Sequence, residues 1–224
     1  MLDEISTCWP TVNNPLQFVM RYAPAIRRYL TAIMKSSDAA EEVSQDFLVK
    51  VLERGFQSEA VNRGRFRDYL KAAVRYTALS ALRRRASENA DAEQLANLVT
   101  DPADESEADA EWIAQWRECL LQRVWQGLEL HERKNPESRY YSVLRLVAQQ
   151  PEATDQVLAE QLSQTLGRPY RADAFRQQKG RARRQFAELI LAELKQSLRE
   201  PTPEAIEAEL LDIDLMKYVR DYLP

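Results

Sequence analysis

Charge in this chain is sorted by position, and the sorting divides it into stretches that cannot share one role. Over 61–86, Arg63, Arg65, Arg67, Lys71, Arg75, Arg83, Arg84 and Arg85 are opposed by Asp68 alone. Over 168–185, Arg168, Arg171, Arg176, Lys179, Arg181, Arg183 and Arg184 are opposed by Asp173 alone. Between the two blocks, 87–111 holds nine acids and neither Lys nor Arg. In a chain of net charge −4, this pattern points to a polyanion gripped at two places.

The 224 residues allow one large domain or two small ones. Five Gly, ten Pro near segment ends, and abundant Ala, Leu, Glu, Arg and Gln predict an all-α fold. No run of alternating β-branched residues predicts a sheet. Cys8 and Cys119 give neither a disulfide framework nor a metal spacing and fit a reducing cytoplasm. No apolar run approaches about 18 residues, so no membrane insertion is expected. The start of the chain, with Asp3 and Glu4, does not read as a signal peptide.

Residues 1–14 read as an arm. A helix is predicted from Pro15, with Phe18, Tyr22, Ile26, Tyr29, Leu30 and Ile33 at helical spacing and a kink or break at Pro24. Ser37-Asp38 offers the next N-cap, and Val43, Phe47 and Val51 form a stripe that ends at Gly55. The opposite face carries Glu41, Glu42, Gln45 and Asp46. A loop with Arg63 and Arg65 leads into a helix from Phe66 to about Ala86. Its inner stripe is Phe66, Leu70, Ala73, Val74, Thr77 and Ala81, with Arg67, Lys71, Arg75 and Arg83 to Arg85 outward. The acidic stretch 87–111 reads as a flexible tether. Helices resume at Trp112, with Trp112, Trp116, Leu120, Val124 and Leu128 on one stripe. Further helices are expected over 137–150, 155–164 and about 173–198, and a last amphipathic acidic segment follows Thr202-Pro203.

A short helix, a turn at Leu166-Gly167 and a long basic helix form the helix-turn-helix pattern. Phe175, Ala182, Phe186 and Leu189 would be buried. Arg176, Gln177, Gly180, Arg181 and Arg184 would face a duplex, where Arg suits guanine, Gln suits adenine, and Lys and Arg hold phosphate. The bland alternative is a solvated basic face. In the first basic helix, Tyr69 and Tyr76 interleave with cations, a mixture suited to unstacked bases. Tyr69 serves equally well as a core residue, and Arg83 to Arg85 as partners of the helix C-terminus.

Three stretches resemble one family in order. Residues 66–85, FRDYLKAAVRYTALSALRRR, look like the signature helix of bacterial extracytoplasmic-function sigma factors. Residues 40–48, AEEVSQDFL, are similar to that family's acidic helix, and 174–184, AFRQQKGRARR, to its recognition helix. The resemblance covers roughly 15–86 and 112–195. Tyr76 and Ser80 stand where the family usually has Asn and Asp, the turn before Phe175 is longer, and the last 25 residues have no counterpart in a minimal member.

The resemblance implies two small helical domains joined by an acidic linker. The divisions are 1–14 arm, 15–86 region 2-like domain, 87–111 linker, 112–199 region 4-like domain with the helix-turn-helix, and 200–224 acidic extension. It implies that Glu41, Glu42, Gln45, Asp46 and Leu48 dock on core RNA polymerase. Arg63, Arg65, Arg67, Lys71, Arg75, Tyr76, Ser80, Arg83 and Arg84 would hold the upstream element of promoter DNA as it melts. Arg171, Arg176, Gln177, Lys179, Arg181 and Arg184 would read the distal element as duplex. It further implies an inhibitory anti-sigma partner, a monomer when free of partners, and cytoplasmic location. The alternative is a stand-alone helix-turn-helix regulator acting without polymerase, although no dimerisation heptad is evident.

No enzyme, metal or cofactor is expected: His131 reads as an exposed helix-end residue, and Glu41, Glu42 and Asp46 lack a His at ligand spacing. Trp112, Trp116 and Trp125 read as core. Ile206, Leu210, Ile213 and Tyr218 could pack on the second domain or meet a partner.

Overall fold

A computed structural model describes residues 15–55, 65–89 and 102–223. Among these, every regular element is helical: α1 (Pro15–Met34), α2 (Ser37–Arg54), α3 (Phe66–Asn89), α4 (Pro102–Lys134), α5 (Tyr140–Gln149), α6 (Asp155–Leu166), α7 (Ala172–Ser197), α8 (Pro203–Asp212) and α9 (Met216–Val219), with a 3-10 turn at Arg220–Tyr222. The arm at 1–14 and Arg63 lie outside the described residues. The chain divides into two compact units. One comprises Met1–Cys119 and Leu194–Asp214, the other Leu120–Glu193 and Leu215–Pro224. These bounds depart from a division at the acidic stretch, because α4 and α7 each contribute residues to both units.

The first unit is organised by aromatic rings. Phe18 and Tyr22 of α1, Phe66 of α3 and Trp112 and Trp116 of α4 are all buried. Tyr22 stacks on Trp116 at 4.7 Å with the planes 10° apart, and Phe66 lies 6.2 Å from Trp116. Offset aromatic pairs of this kind add about 0.5–1.5 kcal/mol beyond the area they bury. α1 runs unbroken through Pro24, where a kink or break was expected. Proline removes one backbone donor, but Tyr22, Ala25 and Ile26 on either side are buried, and that packing offsets the lost bond. At α2 the cap is Ser36, one residue before the expected pair, with its hydroxyl accepting from the Ala39 amide at 3.3 Å. Gly55 ends the helix at φ 64°, a conformation that glycine adopts without steric cost.

The expected tether does not hold over 102–111, which form the first turns of α4; 90–101 lie outside the described residues. Ala108, Trp112, Trp116 and Cys119 make a buried stripe, while Asp109 and Glu111 meet Lys71 and Arg28 at 2.9 and 3.8 Å. Glu107, Asp109 and Glu111 lie off that stripe, and the number of acids in the sequence hid the apolar period.

The tail as far as Asp214 is also part of this unit. Thr202 caps α8 by accepting from the Ala205 amide, with Pro203 in the first turn. Ile206, Leu210 and Ile213 are buried, each worth about 1.5–3 kcal/mol on full burial. Arg117 of α4 reaches Asp214 at 3.5 Å.

In the second unit, Val143, Leu158, Ala159, Leu162 and Phe175 form one core cluster, with Leu146, Val147, Leu166 and Tyr170 packed around it. Trp125 meets Phe186 and Tyr141 edge-on at 5.2 and 5.9 Å. Arg123 holds Glu193 through two bonds of 2.9 and 3.0 Å. Glu132 accepts from the Ser142 amide at 2.9 Å, tying α4 to the start of α5. Of the tail residues, Tyr218 lies 6.1 Å from Phe186 in this unit.

Replacing Trp116 by Ala should cost about 3–5 kcal/mol of stability, read as a lowered urea midpoint. A midpoint within error of the wild type would contradict an aromatic core built around that indole.

Candidate nucleic-acid and polymerase interfaces

Within the first unit, the heptad-like stripe Phe66, Leu70, Val74, Ala78 and Ala81 turns one side of α3 inward. The other side therefore faces outward, and its cations grade along the helix. At the N-terminal end, Arg67, expected outward, is 4% exposed at its side chain and meets Glu209, itself 1% exposed, at 3.2 Å. Arg67 Nη2 also donates to Asp212 at 3.1 Å. Arg65 donates to Glu209 at 3.0 Å and to Asp212. A buried ion is tolerated only when paired, and α8 supplies the pairs. Arg65 and Arg67 are thus engaged by the tail and not presented to a ligand in this arrangement.

The titration behaviour follows from the packing. Burial pushes the Glu209 carboxyl up, against the pull of Arg67 and Arg65. Burial also acts to raise Asp212, but the Arg65 hydrogen bond and the two guanidinium charges outweigh it and leave that group below its ordinary value.

Farther along, Lys71 pairs with Asp109 at 2.9 Å and Arg75 is half-buried. Tyr76 is 72% exposed, and Ser80, Arg83 and Arg84 are exposed beside it. Tyr69 is half-buried 6.5 Å from Phe66, and burial pushes its phenol up. Tyr69 thus belongs with the core, and Tyr76 is the ring on the open face of α3.

On α2, Val43, Phe47 and Val51 point inward. Glu41 accepts from Arg27 at 3.1 Å and from Gln45 at 3.0 Å. Glu42 accepts from Arg85 at 2.6 Å, which joins α2 to the far end of α3. Gln45 and Asp46 are exposed, Leu48 is half-buried, and Val49 and Leu52 add exposed apolar surface.

In the second unit, α6, capped by Thr154, ends at Gly167 with φ 63°, and α7 follows. Phe175, Ala182 and Phe186 are buried, as expected, and Leu189 is half-buried. Gln177, Arg181 and Arg184 are exposed and share a shallow cleft with Gly180, Tyr140 and Tyr222. Arg171 pairs with Asp173 at 3.1 Å. Asp155, at the start of α6, receives Arg176 at 3.3 Å and also Lys179. A Cβ at Gly180 would meet nothing within 4 Å, so no packing within the chain demands glycine there. That leaves one point without a side chain on the face that carries Gln177, Arg181 and Arg184.

Sequence reasoning missed Glu209 and Asp212. The signal was present: Glu209 sits on the same helical stripe as Ile206, Leu210 and Ile213. An acid on an apolar stripe is buried with a partner or the stripe is not buried at all.

Residues 18–88 match the family model of Sigma-70 region 2. The matched stretch takes in nearly all of α1, the whole of α2 and α3 to its last turn. The match covers about a third of the chain and is to that one region. None of the curated proteins and none of the solved structures compared matches the chain. No described helix is long and apolar enough to cross a membrane.

The Lys179 hydrogen bond, followed by the charges of Lys179 and Arg176, holds the Asp155 carboxyl below its ordinary value. An acid depressed in the folded state binds fewer protons there than in the unfolded chain, so its contribution is full above the ordinary carboxylate value of about 3.9 and is lost as pH falls through the depressed one. Thermal melts of the wild type and Asp155→Asn should therefore differ most near neutrality and converge at low pH. A difference independent of pH would contradict this.

Proposed function

We propose that this chain is a sigma factor of the extracytoplasmic-function type, a non-enzymatic subunit that gives core RNA polymerase its promoter. The observation that carries the reading is the match over 18–88; in that stretch an exposed aromatic and two exposed arginines lie on the outer side of α3, which supports it. Tyr76 would take an unpaired base by stacking, Ser80 lies on the same face, and Arg83, Arg84, Arg75 and Lys71 would neutralise the backbone around it. The acidic end of α2, with Gln45, Asp46, Glu41 and Glu42 around Leu48, suits a basic coiled coil of the polymerase, where charge sets register and rate of encounter.

The second unit would read a distal element. α6, the Gly167 turn and α7 act as the helix-turn-helix in this proposal. Arg181, Arg184 and Gln177 would reach base edges, while Arg171, Arg176 and Lys179 would hold phosphates. Neither footprint is large, so polymerase would raise affinity by fixing both on one promoter. The free chain would be a cytoplasmic monomer, and an inhibitory anti-sigma protein would cover the same polymerase and DNA surfaces.

The test is transcription in vitro with core polymerase and a library of promoters. Specific initiation that depends on the chain supports the proposal, and none contradicts it. Arg181→Ala should cost about 1–3 kcal/mol against the preferred distal element and relax specificity there. Asp46→Arg should weaken association with core about tenfold, by placing a cation against the basic coiled coil. Activation by the free chain alone, indifferent to core polymerase, would favour a stand-alone regulator.

A further inference from the structure

The first basic block and the acidic tail are joined by four ion-pair contacts, and the tail lies outside the stretch matched to Sigma-70 region 2. α8 carries Glu204, Glu207, Glu209 and Asp212 and no cation. Of these, Glu209 and Asp212 converge on Arg65 and Arg67, while Glu204 and Glu207 are exposed. Carboxylate and phosphate oxygens satisfy a guanidinium through the same planar donor fork. We infer that α8 is an internal competitor for nucleic acid: its two carboxylates occupy the arginines at the head of α3, and DNA gains those arginines only when α8 withdraws. The inference rests on the reading of α3 as a DNA surface.

The geometry favours a competitor over a mere strut in two respects. Arg65 is 27% exposed at its side chain and Asp212 47%, so half of the contact already borders water, where a phosphate can approach. The helix is also held at its margin by a long contact, Arg117 to Asp214 at 3.5 Å. Within α8 the buried apolar residues are Ile206 and Leu210, with Ile213 at its C-cap, so withdrawal exposes a short amphipathic face.

The test measures binding of the full chain to a fluorescent single-stranded oligonucleotide by anisotropy across a salt series, without polymerase. Glu209→Gln/Asp212→Asn should tighten binding about tenfold and steepen the log–log salt slope by about 1.4, two added phosphate contacts at about 0.7 each on a single strand. Glu204→Gln/Glu207→Gln makes the same change in net charge away from the arginines and should stay within about twofold of the wild type. Adding Arg65→Ala to the first pair should remove about half of the gain and bring the added slope down to about 0.7, because Arg67 remains.

Equal gains in both charge-matched pairs, or a gain that Arg65→Ala leaves undiminished, would overturn the inference, because bulk charge would then explain it. No gain with helix content intact by circular dichroism would overturn it as well. Asp212→Asn alone removes only a surface carboxylate and keeps Glu209 with Arg67. It should give a smaller gain of about threefold, and no gain there counts against the inference even if the double variant unfolds. The sigma reading is scored separately by association of the wild type with core polymerase. Tightened oligonucleotide binding without that association would leave the competitor standing and remove the sigma factor.

Discussion

A guanidinium withdrawn from water has to be met by carboxylate, and in the first unit that requirement fixes where the tail goes. Arg67 is in α3 and Glu209 in α8, far apart in sequence, and both side chains are almost wholly buried. Removing one partner of such a pair leaves a naked ion in low dielectric, at a cost of about 3–5 kcal/mol. The apolar residues Ile206, Leu210 and Ile213 bring α8 to the bundle, but they do not specify its register. The two charges do, because any slip of α8 would strand both Glu209 and Arg67.

That contact divides the cations of α3 by availability. Those at its head are held by the tail, Lys71 is held by Asp109, and the exposed Arg83 and Arg84 lie with Tyr76 toward the far end. A count of positive charge treats these as equal, whereas their capacity to meet a polyanion is not. The same distinction applies on α7, where Arg176 and Lys179 lean on Asp155 while Arg181 and Arg184 are exposed. Intramolecular carboxylates do not forbid a role at a phosphate. They make it an exchange of one anion for another, so each such contact contributes less net free energy than a free cation would.

Much of the architecture could be read from the sequence, because it lies in local signals. Stripes such as Phe66, Leu70 and Val74, the stop at Gly55 and the cap at Thr202 are each encoded within a few residues. What escaped were properties set by distant partners. Arg67 looks like any outward arginine until α8 is placed over it. The acids at 102–111 look like a tether because their charge outweighs the widely spaced Ala108 and Trp112. Pro24 looks like a break because its neighbours' burial, which keeps α1 whole, is a tertiary effect. On the candidate surfaces, residue type was legible at Tyr76, Asp46 and Arg181, while engagement at Arg65, Glu42 and Asp155 required the folded chain.

The most direct measurement of the account is permanganate reactivity of thymines on a promoter carrying core polymerase, with and without the chain. The account predicts reactive, unpaired thymines upstream of the start site only when the chain is present, and their loss with Tyr76→Ala. A duplex that stays closed in both cases, on a promoter that the chain and polymerase jointly occupy, would contradict it.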